Sequence, residues 1–343
     1  MSENRRLVLA KRPVGTVADD DFELRPEPIP EPGDGEFVAK VCWLSFDPAQ
    51  RGWMNDVPSY IPPVQIGEPM RAWGVGEVIS SRNDEFPVGL LVSGRMGWQE
   101  YALLDGSPEM GISVIPPGVP PTAALGVFGT TGLTAYFGLL DVGRPKAGDI
   151  VLVSGAAGAT GSIVGQIAKI QGATAIGIAG GPEKCAWVTD VAGFDAVIDY
   201  KNENVGARIR ELAPKGVNVY FDNVGGPILD AALANLAQAG TVVLCGGIST
   251  GYTIDERPPG IHNISMLTVR SGRMEGFIVL NYVARFGEAV KQLATWVQEG
   301  RLVWNEDIQQ GGIEDAPATL RRLFEGRNLG KQLLQLAEPS GPA

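Results

Sequence analysis

The stretch Ile150-Val151-Leu152-Val153-Ser154-Gly155-Ala156-Ala157-Gly158-Ala159-Thr160-Gly161-Ser162-Ile163-Val164 decides how this chain of 343 residues is read. Four apolar residues in a row, rich in β-branched types, mark a strand covered on both faces. Three glycines spaced G-x-x-G-x-x-G mark the turn that ends it. From Ser162 to Gln171, Ile163, Ile167 and Ile170 fall on one side of a helix. In a strand, glycine turn and helix, the backbone N–H groups at the helix start converge on a pyrophosphate. Glycine suits that turn because it accepts positive φ, and because a β-carbon would fill the space the phosphates take. The spacing alone is weak, and a mere tight turn is the plain alternative; the flanking strand and helix favour a dinucleotide.

Outward from this turn, the alternation continues. Apolar runs at Thr174–Ile178, Ala196–Asp199, Val217–Phe221 and Thr241–Leu244 read as further buried strands, and Gly276–Leu280 as a sixth. Helices are expected from Pro182, which sits in a first turn with Glu183 behind it, and over Arg285–Glu299, ending at Gly300. Strand and helix in alternation predict a parallel sheet, hence an α/β domain. The first 110 residues differ: short extended runs such as Glu36–Cys42 and Gly74–Ile79, broken by Pro and Gly, predict an antiparallel β domain. The last forty residues return to a mixed pattern and are expected to rejoin that first domain. At roughly 150 residues per domain, the length accommodates two.

Composition narrows the function. The net charge of −11 repels nucleic acid and anionic lipid surfaces. A single histidine, His262, and three scattered cysteines, Cys42, Cys185 and Cys245, provide no metal-ligand spacing, and three thiols are a poor disulfide framework. A reducing cytoplasm is the expected location, since Met1–Arg12 is polar and basic rather than a secretory signal. The uncharged stretches 110–140 and 150–168 are interrupted by Pro and Gly, so buried helix and strand is the reading and a bilayer span is not. At the end of the second strand, where an NAD enzyme places Asp or Glu on the ribose, stands Ala179-Gly180-Gly181-Pro182. With no carboxylate there and Lys184 following, a 2′-phosphate is the better fit, which favours NADPH. Lys184 has a plainer alternative as a solvated surface lysine.

The chain resembles the zinc-independent medium-chain dehydrogenase/reductase superfamily, and within it the 2-alkenal, leukotriene/prostaglandin and curcumin reductase group. The likeness rests on Leu44-Ser-Phe-Asp47-Pro48, Arg51-Gly52, Ser59-Tyr60-Ile-Pro-Pro-Val64, Gly132-Leu-Thr-Ala-Tyr136-Phe-Gly138, and the Gly155–Gly161 turn. It continues through Gly180-Gly-Pro-Glu-Lys184, Phe221-Asp-Asn223-Val-Gly-Gly226, Cys245-Gly-Gly-Ile-Ser249, Arg273-Met-Glu-Gly-Phe-Ile-Val279 and Asn328-Leu-Gly-Lys331. The resemblance implies a Rossmann-type parallel-sheet cofactor domain over 127–305 and a mostly β, GroES-like catalytic domain from 1–126 and 306–343, with the cofactor in the cleft. It implies Gly158, Ala159, Thr160 and Gly161 at the pyrophosphate, and Gly180, Lys184 and Tyr200 around the 2′-phosphate. At the nicotinamide half it implies Asn223, Cys245, Gly246, Ile248, Ser249, Tyr252, Phe277, Ile278, Val279 and Asn328. A homodimer paired through the edges of the cofactor-domain sheets is implied as well.

The implied reaction is NADPH-dependent reduction of the C=C bond of an α,β-unsaturated aldehyde or ketone, with hydride going to the β-carbon. Charge then develops on the carbonyl oxygen, so the site needs a donor there. Tyr252 is the candidate, because a phenol donates while staying neutral. Tyr60 and Arg51 are substrate-side candidates, with Trp53 and Trp73 as walls; Arg51 has the alternative of a structural ion-pair residue. Three departures from the usual pattern bear on the pocket: Ala49-Gln50 ahead of Arg51, Thr130-Thr131 between two glycines, and one additional residue between Ser249 and Tyr252. Two other functions share this fold: quinone or carbonyl reduction, and silent NADPH binding.

Overall fold

The computed structural model describes residues 3–107, 110–254 and 260–340. By contacts the chain divides into two units, one running from Gly126 to Thr250 and resuming up to Asn305, the other formed by the chain up to Leu125, a short stretch from Gly251, and the segment from Glu306 onward.

The chain begins with a hairpin of β1 (Glu3–Leu9) and β2 (Phe22–Pro28). Next come β3 (Phe37–Ser45), helix α1 (Ala49–Trp53), β4 (Trp73–Ser81), β5 (Leu91–Arg95), β6 (Tyr101–Leu104) and β7 (Ser113–Val114). These strands pair antiparallel, as their short alternating runs predict. Two strands from the C-terminal segment, β14 (Glu306–Gln310) and β15 (Lys331–Gln335), complete the seven-stranded sheet beside β3. Their mutual pairing is parallel, because helix α9 (Ala316–Phe324) crosses between them.

The other unit opens with α2 (Thr130–Phe137) and then alternates: β8 (Ile150–Ser154), α3 (Ala159–Ile170), β9 (Thr174–Ala179), α4 (Pro182–Asp190), β10 (Ala196–Asp199), α5 (Val205–Leu212), β11 (Val217–Asp222), α6 (Gly226–Ala234) and β12 (Leu236–Leu244). The short helix α7 (Met266–Val269), strand β13 (Arg273–Gly276) and helix α8 (Phe286–Gln298) follow. All six strands are parallel, in the order β10-β9-β8-β11-β12-β13. Val151, Leu152 and Val153 are fully buried, as a strand with helices on both faces must be. Leu152, Ile176, Ile198, Tyr220 and Val242 from successive strands join Leu229 and Leu233 of α6 in one core.

Several boundaries differ from the sequence reading: β12 begins at Leu236 rather than Thr241, and β9, β11 and α8 shift by one residue. Helix α3 starts at Ala159 rather than Ser162, because the glycine turn feeds straight into it. The sixth strand is Arg273–Gly276 rather than Gly276–Leu280. The run Phe277-Ile278-Val279-Leu280 is apolar for another reason. Phe277 turns inward, edge-on to Phe221 at 6.4 Å and to Tyr282 at 6.5 Å, over a glycine, Gly138, whose β-carbon would meet its ring at 2.4 Å. The chain leaves the sheet to make that contact, and Val279–Arg285 winds into a 3-10 segment.

Candidate active site

Gly155 closes β8 at φ +61. The turn then folds against its own backbone: a β-carbon on Gly161 would lie 2.3 Å from the Gly155 carbonyl oxygen, and one on Gly158 would lie 3.1 Å from the same atom. Glycine at 161 is therefore dictated by the turn. The close turn that glycine permits at 158 and 161 leads straight into the first N–H groups of α3, at Ala159, Thr160 and Gly161. Such groups have no carbonyl one turn back within their helix, and they carry the positive end of its dipole. That is the shape and charge a pyrophosphate fits.

Strand order places this turn at a switch point. The chain passes from β8 outward to β9 on one side and returns to β11 on the other, so the carboxyl ends of β8 and β11 diverge into a crevice. Asn223 stands on its far lip. Its backbone N–H donates to Ser154 Oγ at 2.9 Å and its side-chain amide to the Ser154 carbonyl at 2.7 Å. Beneath it Asp222 is fully buried, and one carboxylate oxygen accepts from the Tyr220 hydroxyl (2.7 Å), Ser154 Oγ (3.1 Å) and the N–H groups of Val224 (3.0 Å) and Gly225 (2.9 Å). Burial, and then the carboxylate itself, push the Tyr220 phenol well above its ordinary range, so it stays a donor. Ser154, Tyr220 and Asp222 thus hold the Asn223 turn, a role that sequence reasoning missed. Asp222 stood inside a recognised motif, but nothing in its spacing showed the bonds.

A second layer closes on this turn. The N–H groups of Cys245 and Gly246 donate to the Asp222 carbonyl at 2.9 and 3.0 Å, and Ile248 N–H to that of Asn223 at 3.4 Å. Ser249 donates its N–H to the Val224 carbonyl at 3.0 Å and its hydroxyl at 2.6 Å. The structure therefore brings Asn223, Cys245, Gly246, Ile248 and Ser249 together. A cavity of about 680 Å³ opens at these strand ends, lined by Cys245 and Gly246, by Phe277 and Ile278, and by the Gly225-Gly226 turn. Val279 begins the 3-10 segment just beyond. The Cys245 thiol is pushed up to about 12, first by desolvation and then by the Asp222 charge.

At the end of β9, Gly180 and Gly181 form the turn into α4, Gly181 at φ +93. The Tyr200 ring lies over Gly180, where a β-carbon would approach it to 2.6 Å. Lys184 sits in the first turn of α4, and Glu183 beside it is exposed to solvent, as the sequence suggests. Gly180, Lys184 and Tyr200 thus belong to two neighbouring strand ends, with no carboxylate at the end of β9 itself.

The remaining candidates belong to the unit that contains α1. Arg51 requires a correction: it is not on a substrate surface. It is 1% exposed, and its guanidinium donates to the carbonyls of Gly15 (2.8 Å) and Pro13 (2.9 Å) and to Asn55 Oδ1 (2.7 Å). Asn55, which sequence reasoning also missed, passes the contact on, its amide donating to the Tyr252 carbonyl at 2.9 Å. Tyr252 has φ +53, directly after Gly251 at φ +64, and its ring rests on the open face of Gly52. Arg51 thus supports the main chain at Tyr252. Tyr60 is half exposed and accepts from Trp53 Nε1 at 2.8 Å, while Arg71 lies over the Trp53 ring at 5.7 Å. Arg95 lies 6.0 Å over Trp73. Asn328 donates to the Gly330 carbonyl within its own turn. Among the described residues, no group of three or more His, Cys, Asp or Glu is placed to hold a metal.

Comparison with known proteins shows the family. Residues 5–112 match the family described as N-terminal domain of oxidoreductase, and residues 159–295 the one described as zinc-binding dehydrogenase. The NADPH-dependent curcumin reductase of Escherichia coli is 38% identical, with 97% of each chain covered. The NADP(+)-dependent 2-alkenal reductase of Nicotiana tabacum is 35% identical over 97% of this chain and 98% of its own. The crystal structure of CurA from Vibrio vulnificus in complex with NADPH superposes with a TM-score of 0.91 at 40% identity, covering 98% of this chain and 100% of that one. The chain belongs to the zinc-independent medium-chain dehydrogenase/reductase superfamily, in its 2-alkenal, prostaglandin and curcumin reductase group. It is an NADPH-dependent oxidoreductase with a Rossmann-type cofactor domain and a GroES-like β domain.

Proposed function

We propose that the enzyme reduces the C=C bond of α,β-unsaturated aldehydes or ketones. The observation that carries this is the full-length similarity to reductases named for curcumin and for 2-alkenals, the latter conjugated aldehydes by definition. NADPH supplies the hydride, which goes to the β-carbon of the substrate. The chain's own residues hold the pieces: Ala159–Gly161 the pyrophosphate, Gly180, Lys184 and Tyr200 the 2′-phosphate, and Asn223, Cys245–Ser249, Phe277–Val279 and Asn328 the nicotinamide half. Tyr252 donates a hydrogen bond to the substrate carbonyl oxygen as charge develops there, since an enolate needs only such a neutral donor, and a proton from solvent water then goes to the α-carbon to give the saturated product. Tyr60 and the Trp53 ring flank the substrate.

NADPH oxidation against enals, enones, quinones and isolated ketones, with the products identified, tests this. Saturated aldehydes or ketones from conjugated substrates are expected. Allylic alcohols, or reduction of quinones alone, would replace the proposal with carbonyl or quinone reduction, and coenzyme binding with no turnover would leave a silent binder. We further infer a homodimer in a reducing cytoplasm. An unpaired sheet edge at β13 supports the first, and three free cysteines support the second. No helix among the described residues is long and apolar enough to cross a membrane.

A further inference from the structure

The sheet register pairs Ala179, the last residue of β9, with Asp199, the last of β10. Beyond that rung the two chains remain tied in both directions. Tyr200 N–H donates to the Ala179 carbonyl at 3.1 Å, and Gly181 N–H donates back to Asp199 Oδ1 at 2.9 Å. The same Oδ1 accepts Lys201 N–H at 3.1 Å, and Oδ2 accepts the Asn202 side-chain amide at 2.7 Å. The Asp199 backbone is itself fixed, its N–H donating to Glu203 Oε2 at 2.7 Å. These N–H groups hold the Asp199 carboxyl below the usual carboxylate range, Gly181 contributing most, so it is ionised at neutral pH.

A carboxylate near the adenosine ribose would ordinarily suit NAD, by accepting from the 2′-hydroxyl, and would repel a 2′-phosphate. Here both oxygens are turned to the protein. We propose that Asp199 is a positioning residue for coenzyme selection: by anchoring Gly181 and the Tyr200 turn to one side chain, it sets the pocket that receives the 2′-phosphate. Tyr200 lies over Gly180 while half exposed, so the contact between the two turns depends on such ties. Without the Asp199 carboxylate, the glycine turn loses its hydrogen bond from Gly181, and the bond of Tyr200 N–H to the Ala179 carbonyl is left to hold the two turns. The inference rests on the assignment of Gly180, Lys184 and Tyr200 to the 2′-phosphate.

Charge and positioning predict opposite signs. If Asp199 acted only as a negative charge, removing it would raise the preference for NADPH. If it positions, D199A lowers the ratio of kcat/KM for NADPH over NADH by about tenfold, the equivalent of one charge-assisted hydrogen bond. D199N, which keeps an Oδ1 acceptor for Gly181 and Lys201, retains the ratio. Calorimetric binding of 2′,5′-ADP and of AMP to the full-length protein gives the same comparison without turnover: D199A weakens the first and spares the second. D199S, with its shorter side chain, replaces D199A should the latter fail to fold. Equal losses with both coenzymes, or a raised ratio, would overturn the proposal. K184A serves as the reference: if it leaves the ratio unchanged, the 2′-phosphate assignment fails, and this inference with it.

Discussion

Tyr252 shows how much a single residue depends on its supports. A non-glycine residue in the left-handed region costs about 1–2 kcal/mol and persists only where its surroundings hold it. Asn55 holds the carbonyl, Arg51 holds Asn55, and Arg51 in turn is fixed by two carbonyls 36 and 38 residues back along the chain. Tyr252→Phe removes the donor alone, and kcat is expected to fall about 100-fold with little change in NADPH affinity, as for other oxyanion donors. Asn55→Ala keeps the phenol but frees its backbone, so kcat falls less, about tenfold, again with NADPH affinity retained. Single-turnover rates beside NADPH titrations check both; an unchanged rate in Tyr252→Phe removes that residue from the chemistry. The thiols make a separate prediction. Cys42 is pushed up to about 11 and Cys245 to about 12 by desolvation, against an ordinary value of 9.0. Protonated, desolvated thiols are poor nucleophiles, so Cys42 and Cys245 of the native enzyme should resist iodoacetamide at neutral pH, as mass mapping of the labelled peptides would show. The sign of the stability effect follows: both states keep these protons below pH 9.0, and above it the unfolded chain releases them first. The contribution is full below that value and is lost as pH rises through the folded values; denaturant melts of the wild type and Cys245→Ala across that range measure it.

Among the elements, the β8–α3 turn carries the sharpest constraint. Gly161→Ala would set a β-carbon against backbone rather than against a mobile side chain, so the turn itself must open. A strain of about 1–3 kcal/mol is expected, the usual range for overpacking. NADPH should bind at least about tenfold more weakly, since 1.4 kcal/mol is a factor of ten. Calorimetry with thermal melts checks this; wild-type affinity in a folded variant would refute the role of the turn. The elements were unequally legible. Strands β8 to β12 were found because burial on both faces leaves long apolar runs. Strand β13 was misplaced because the run Phe277-Ile278-Val279-Leu280 is apolar without pairing in the sheet: Phe277 packs against Phe221 while Leu280 is exposed, and a run of apolar residues does not say which surface it meets.

For the whole molecule, the parallel sheet ends at β13, which has a hydrogen-bonded neighbour on one side only among the described strands. Val269 and Val283 are each 65% exposed, and Ile264 and Leu280 are also open to solvent in the same region of sequence. An open edge, and exposed apolar side chains in the segments that flank β13 in sequence, invite pairing with a second copy. Sedimentation velocity should give twice the monomer mass, and glutamate at both Val269 and Val283 should halve it. A wild-type monomer, or a double variant that remains dimeric, would refute the pairing. The net charge of −11 is consistent with solubility of such an assembly and opposes non-specific nucleic-acid binding.

The sequence by itself determined the parallel sheet, the glycine turn, and the absence of a carboxylate at the end of β9, because each is written in consecutive residues, and for the turn the flanking strand and helix supply the meaning that its spacing alone lacks. Tertiary structure decided the rest. Arg51 became an internal support because its partners are main-chain carbonyls, which every sequence carries and no sequence marks. Ser154, Tyr220 and Asp222 became the base of the Asn223 turn because strands far apart in the chain lie side by side in the sheet. Asp199 reached across to the Gly181 N–H because β9 and β10 end on the same rung. Hydrogen bonds between strand ends depend on register, and register exists only once the sheet has formed.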